Sequence, residues 1–405
     1  MDECGESLIC IYVRFFYPTT EREKAMKCGI DNRESLDKHL KGKRLGLITS
    51  VAAVDEAYRQ STDVLFERYE LTALYSPEHG VRGDRGAGDY VDSYRDPKTG
   101  VPVHSLFRKD SKRFTREQLS PVDAVVYDIQ DLGVRYYTFI STLLMAVEEC
   151  ARNGRELIVL DRPCPLGGAV VEGSVLKPEY ESFVGAWAIP TRYGLTAGEL
   201  ALMYNDVQHI GCQLHVVPCE GWHREDMFPA FGRPWIMPSL GIPRFETALL
   251  YPGMCLVEGT NLSEGRGTSC PFELIGADFI CAEKLTQALN RRKLPGVCFT
   301  PAYFTPSASK FGGVACQGVH AHITNPRAFQ SYRTGLVLLE TVRELCPEQF
   351  QILPPAGEAT RPFLTLLNGD DQLLGDHWTA EQVLHGYEAA LAAFQKKKQA
   401  YHLYD

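Results

Sequence analysis

The sequence predicts an α/β protein built on a parallel sheet, and three observations carry that prediction. Short apolar runs alternate with helical stretches through the first half of the chain. The runs are apolar at successive positions, as strands covered by helices on both faces must be. At 405 residues the chain is long enough for two domains, each with its own core.

The elements follow in order. KRLGLITS (43–50) is the first strand, and VDEAYRQSTDVLFERY (54–69) the helical stretch after it. LTALYS (71–76) is the second strand and leads into a glycine-rich loop; DAVVYDIQ (123–130) is the third. In the next segment Ile140, Leu143, Leu144, Val147 and Ala151 recur on one helical face, and Gly154 stands where a helix ends. RELIVLDRP (155–163) is a fourth strand. From 215 to 272 the chain is rich in Pro, Gly and Trp without clear period, which reads as long ordered loops. A helix is predicted over 282–293, then a strand pair through VCFTPAYFTP and GVHAHITN, and helices over 331–346 and 379–396. The domain boundary falls between 205 and 245.

Composition excludes several classes of function. Lys and Arg number 42 against 51 Asp and Glu, a formal charge of −9, so there is no basic excess for nucleic acid. Hydrophobic residues at 44% and charged residues at 23% belong to a globular chain, not a disordered one. Nothing approaches the ~20 apolar residues of a membrane span. The apolar stretch 8–16 follows acidic residues and is broken by Arg14, so it fails as a secretory signal. Thirteen scattered cysteines do not form the pattern of a disulfide framework and suit reduced thiols in a cytoplasmic protein. Residues 1–29 read as an N-terminal extension expected to be disordered, with Met26 an alternative start.

Polar residues gather where the strands end. Thr49-Ser50, Ser76-Pro77-Glu78-His79-Gly80, Asp128-Ile129-Gln130-Asp131 and Asp161-Arg162-Pro163 all lie at the carboxyl ends of predicted strands. Open parallel sheets bind ligands at that edge, so these residues outline one rim. The loop from Gly80 to Gly88 lacks both nucleotide fingerprints; its Arg82 and Arg85 are available to an anionic group. Cys212, His215, Cys219 and His223 have zinc-like spacing but lie on an apparent strand and turn, where packing is the better reading. His320 and His322 share a strand face without an identified third ligand. The densest polar stretch runs from Glu258 through Asn261, Glu264 and Arg266 to Thr268, a mixture suited to a polyhydroxylated ligand carrying a carboxylate. Carboxylates in excess, with no nucleophile-elbow serine, fit acid–base hydrolysis such as glycoside cleavage.

Several blocks then carry a family resemblance. GLITS, SPEHGVRGD, YDIQDLGVRYYTFISTL, VLDRPCPLGG, YGLTAGELA, LLYPGMCLVEGTNLSEGRGTSCPFELIGA and QGVHAHIT, in this order, resemble the DUF1343 family, which includes NamZ-like exo-β-N-acetylmuramidases (glycoside hydrolase family 171). The resemblance implies a Rossmann-like catalytic domain over 30–225 and a smaller α+β domain over 226–405 closing the cleft. It implies release of terminal N-acetylmuramic acid from peptidoglycan-derived disaccharides or oligosaccharides, in cell-wall recycling, without metal or other cofactor. Glu78 would be the principal acid/base, assisted by Asp128, Asp131 or Glu264. His79, Arg82, Arg135, Tyr137, Asp161, Arg162, Glu258, Asn261 and Arg266 would contact substrate, one arginine pairing with the lactyl carboxylate. The chain departs from the family pattern at Ser50, at Cys164 and over 238–244, which bears on sugar specificity. Two alternatives remain at this level: a muropeptide-binding protein without hydrolysis, and a hydrolase using metal at Asp128 and Asp131.

Overall fold

The computed structural model describes residues 26–83, 93–109, 111–357, 359–375 and 377–405. Most of the expected N-terminal extension, and Arg85 with its neighbours, lie outside the described residues. Residues 27–31 are part of the packed fold: Lys27 bridges to Glu220, and the Gly29 amide bonds the Asp161 carbonyl at 2.8 Å.

Six parallel strands form the main sheet: β1 (Arg44–Thr49), β2 (Glu70–Ser76), β4 (Pro102–Ser105), β5 (Ala124–Asp128), β6 (Glu156–Leu160) and β9 (Leu214–Val217). A short antiparallel strand, β3 (Tyr94–Arg95), edges it. The spatial order is β3-β4-β2-β1-β5-β6-β9. The chain therefore winds outward from β1 one way, returns, and winds outward the other way from β5. This is the doubly wound Rossmann order, with its switch point between β1 and β5. Successive residues of β5 show why the strands read as unbroken apolar runs. Ala124 and Val126 enter one core with Leu45 and Leu47, while Val125 and Tyr127 enter the other with Ile48 and Ala73.

Two smaller sheets complete the chain. The strands β7 (Glu172–Val175) and β8 (Pro190–Arg192) pair antiparallel, and β10 (Leu274–Ala277), β11 (Val297–Phe304) and β12 (Cys316–Ile323) form a sheet in the order β10-β12-β11. The helices Phe139–Arg152, Ala282–Arg291, Ser331–Leu345 and Ala380–Lys398 fall where periodicity predicts them. The first helix after β1 is shorter than predicted, Ser61–Arg68, because Asp55 accepts bonds from the amides of Ala57 and Arg59 and holds that stretch in a turn.

The region expected to be loops contains a helix, Phe245–Met254, with Pro252 inside it. Pro-Gly ordinarily reads as a turn, but here Gly253 is a packing device. A Cβ on Gly253 would lie 2.0 Å from the Ser331 carbonyl oxygen, and one on Gly335 2.3 Å from that of Gly253. The two helices cross backbone to backbone. Gly335→Ala is expected to cost about 1–3 kcal/mol through this contact, read as a lowered urea midpoint.

Candidate active site

Glu78 stands on a reversal of the chain at the end of β2. His79 and Gly80 take φ values of 74° and 80°, so two consecutive left-handed residues turn the backbone and aim Glu78 into a cleft of about 410 Å³. The Thr138 hydroxyl donates to Glu78 Oε2 at 2.6 Å. Thr138 is the N-cap of the helix Phe139–Arg152 but makes no side-chain cap bond; its hydroxyl is spent on Glu78 instead. The carboxylate thereby sits at the positive end of a 14-residue helix.

Glu258, Arg266 and Tyr137 line the same cleft. Glu258 lies on a 3-10 turn, Cys255–Gly259, and accepts a bond from Arg266 Nε at 2.6 Å. The Arg266 guanidinium also lies over the Phe272 ring, 4.9 Å from its centroid. Burial opposes its charge, but the Glu258 carboxylate outweighs burial and keeps it cationic. A Cβ on Gly241 would lie 3.1 Å from Arg266 Nη1, so a bare backbone at 241 gives the guanidinium its place. That glycine belongs to the 238–244 departure. Tyr137 packs edge-on to Phe139 and Tyr251 at 5.1 and 6.0 Å. Burial raises its phenol above the ordinary range and leaves it a proton donor.

The structure brings Glu78, His79, Tyr137, Glu258 and Arg266 together in this cleft. The other sequence-predicted residues are placed elsewhere. Asp128 is wholly buried at the switch point, where Arg162 holds it through Nη2 at 2.9 Å and Ser61 donates to it. Arg162 also donates to the Val54 carbonyl at 3.0 Å. Asp161 is capped by Thr196 at 2.6 Å, the Gly198 amide at 2.8 Å and Tyr404 at 2.5 Å. Arg82 is forked onto Asp96 at 2.9 and 2.8 Å and reaches Asp63 at 3.0 Å. Arg135 is fully buried and donates to four backbone carbonyls, of Ser174, Ile189, Leu367 and Asn368, at 2.6 to 2.9 Å. Asn261 pins the Gln349 carbonyl and the Gln351 amide. Glu264 faces Lys310 at 3.0 Å and Ser309 at 3.1 Å behind the Arg266 wall. Asp128 and Asp131 join no group of three metal-type donors among the described residues, and Arg162 fills the place a cation would take beside Asp128.

Asp131 lies inside the loop after β5, accepting from the Gly133 amide at 2.8 Å and from the Tyr193 hydroxyl. Burial raises its carboxyl to about 6, against those two donors. Its folded-state pKa thus exceeds the unfolded value of about 3.9, so the folded chain holds the proton more tightly. Stability should fall as pH rises from about 4 to about 6 and level off above. Urea midpoints across that range should lose this slope in Asp131→Asn.

Sequence reasoning passed over the aromatic wall, notably Tyr136, Tyr251 and Phe272. Tyr136 donates to the Pro252 carbonyl, and its ring meets Tyr251 edge-on at 5.4 Å. Tyr251 and Phe272 lay in the stretch without period, and Tyr136 stood beside more conspicuous polar residues. Cys164, one departure, is buried; its thiol reaches the Leu132 carbonyl at 3.5 Å, and a Cβ on Gly133 would meet its sulfur at 2.6 Å. The zinc-spaced set disperses: His215 stacks on His39 at 4.8 Å, while Cys212 and Cys219 are buried thiols.

A carboxylate posted on a strand-end turn, sharing an α/β cleft with aromatic rings and a carboxylate-bound guanidinium, is the equipment of a carbohydrate-cleaving hydrolase. Family profiles sharpen this. The one described as exo-beta-N-acetylmuramidase NamZ, N-terminal, matches residues 45–246, and its C-terminal counterpart matches 249–404. The chain belongs to the NamZ exo-β-N-acetylmuramidase family. It is 43% identical over 397 residues to the peptidoglycan beta-N-acetylmuramidase NamZ of Bacillus subtilis (strain 168), covering 95% of this chain and 93% of that one. A DUF1343 family crystal structure from Bacteroides fragilis NCTC 9343 superposes with a TM-score of 0.85 at 36% identity, covering 95% of this chain and 100% of the other. A second from the same organism gives 0.74 at 26%, covering 94% and 99%. No described helix is long and apolar enough to cross a membrane.

Proposed function

We propose that this chain is an exo-acting β-N-acetylmuramidase that removes terminal N-acetylmuramic acid from the non-reducing ends of peptidoglycan fragments. The single observation that carries the reading is Glu78, fixed by Thr138 at 2.6 Å and aimed into a cleft that also holds the Glu258–Arg266 pair. Glu78 acts as the acid/base, protonating the leaving oxygen or orienting water. Tyr137 and the rings of Tyr251 and Phe272 pack the sugar, and the Nη edge of Arg266 meets the lactyl carboxylate that distinguishes muramic acid from glucosamine. Asp131 and Glu264 act from behind the cleft walls, setting the loops that carry these groups. Every described cysteine is a free thiol, which supports work in a reducing compartment on fragments taken up for recycling.

The test is hydrolysis of a chromogenic N-acetylmuramide beside the matching N-acetylglucosaminide. Release from the muramide alone is the expected result. Saturable binding of muramide without release would instead make the protein a sugar-binding one.

A further inference from the structure

The two imidazoles that lacked a third partner in the sequence acquire one through the fold. His320 and His322 lie on one face of β12, their ring centroids 4.2 Å apart. Strand β10 runs antiparallel beside them and pairs Leu274 with His320. The turn entering β10 brings Cys270 and Glu273 onto the same face. A ring nitrogen of His320, a carboxylate oxygen of Glu273 and the Cys270 sulfur all lie within 4.8 Å of one another, with His320 Nε2 3.4 Å from Glu273 Oε2. Among the described residues this is the one group of three such donors.

We propose that Cys270, Glu273 and His320 form a binding site for Zn²⁺, with the neighbouring His322 or a water completing the coordination. A thiolate, an imidazole and a carboxylate are zinc's ligand types, and a sulfur ligand selects against Mg²⁺ and Ca²⁺. Binding requires the Cys270 thiol to release its proton to solvent as the Zn–S bond forms. Thiolate and carboxylate together supply two negative charges to the ion, the one on Glu273 being shared with Arg244.

Arg244 already shows that this pocket draws positive charge. Its Nε donates to Glu273 Oε1 at 2.8 Å, and its Nη2 reaches both Glu273 Oε2 and, at 3.7 Å, the Cys270 sulfur. Unlike Arg162, which is sealed in the core at 2% side-chain exposure, Arg244 is 47% exposed. It can yield Oε2 to the ion, keep Oε1, and turn its outer edge to water. A bound ion would tie the loop bearing Arg266 and Phe272 to β12, stiffening one wall of the cleft from behind without entering it.

The test is zinc titration of the purified full chain by calorimetry, with Co²⁺ as a spectroscopic probe of thiolate ligation. One equivalent of zinc and a near-ultraviolet sulfur-to-cobalt band are expected. Cys270→Ser should abolish the band, and both Cys270→Ser and His320→Gln should weaken zinc at least about tenfold, the lower end of what even an outer-shell partner costs. Cys281→Ser and Cys298→Ser, which remove exposed thiols, should leave both unchanged. Absence of stoichiometric binding, wild-type behaviour in Cys270→Ser or His320→Gln, or loss of binding in Cys298→Ser would each overturn the proposal. Circular dichroism of each variant separates ligand loss from misfolding, and muramide turnover without zinc reports on the catalytic reading separately.

Discussion

Glutamine at position 78 is expected to lower turnover of an N-acetylmuramide by at least about 10²–10⁴-fold, the contribution usual for a positioned acid/base. The substitution keeps the shape of the side chain and an oxygen for the Thr138 hydroxyl, so the turn formed by His79 and Gly80 has no reason to change. The loss should therefore fall on kcat, with the urea midpoint unmoved. Near-normal turnover in the variant would remove Glu78 from the chemistry and shift attention to Glu258, which lines the same cleft.

Alanine at Asp128 is the second large effect, and it falls on the fold. Asp128 is the counter-ion of Arg162, and both are buried. Truncating one member leaves the other charged and unpaired away from water, at about 3–5 kcal/mol. Urea denaturation should show that loss as a sharply lowered midpoint. Under conditions where the variant is still folded, kcat should remain within a few-fold of normal. The opposite pattern, full stability with abolished turnover, would return Asp128 to the catalytic machinery.

These two variants also mark what the sequence could show. The parallel strands were legible because burial on both faces writes an unbroken apolar run. The strand-end rim was legible too, since acids and arginines cluster there. Their destinations were not. Asp128, Asp161 and Arg162 stand at the ends of their strands as Glu78 does, yet only Glu78 is followed by two left-handed residues that turn it outward. Asp128 and Arg162 are spent on each other, and Asp161 on the start of a helix. Whether an arginine's donors meet a ligand or a carbonyl is decided by tertiary contacts, and Arg135 meets carbonyls more than 200 positions away. The helix Ala197–Val207 did leave a readable sign, the capping box of Thr196 and Glu199, whereas Pro252 and Gly253 concealed the helix beside the cleft.

Arg135 has a mechanical meaning as well. Two of the carbonyls it holds belong to the N-terminal family segment and two to the C-terminal one, so a single guanidinium rivets the halves together. Burial lowers its pKa only to about 10, leaving the rivet charged at any physiological pH. Enzymes that clamp their substrate by swinging two lobes about a hinge need a seam with little holding it shut. This seam carries at least one buried, charge-assisted tie, Arg135. A hinge motion that parted the halves here would have to strip a buried guanidinium of two of its carbonyl partners, a cost that a looser seam would not carry.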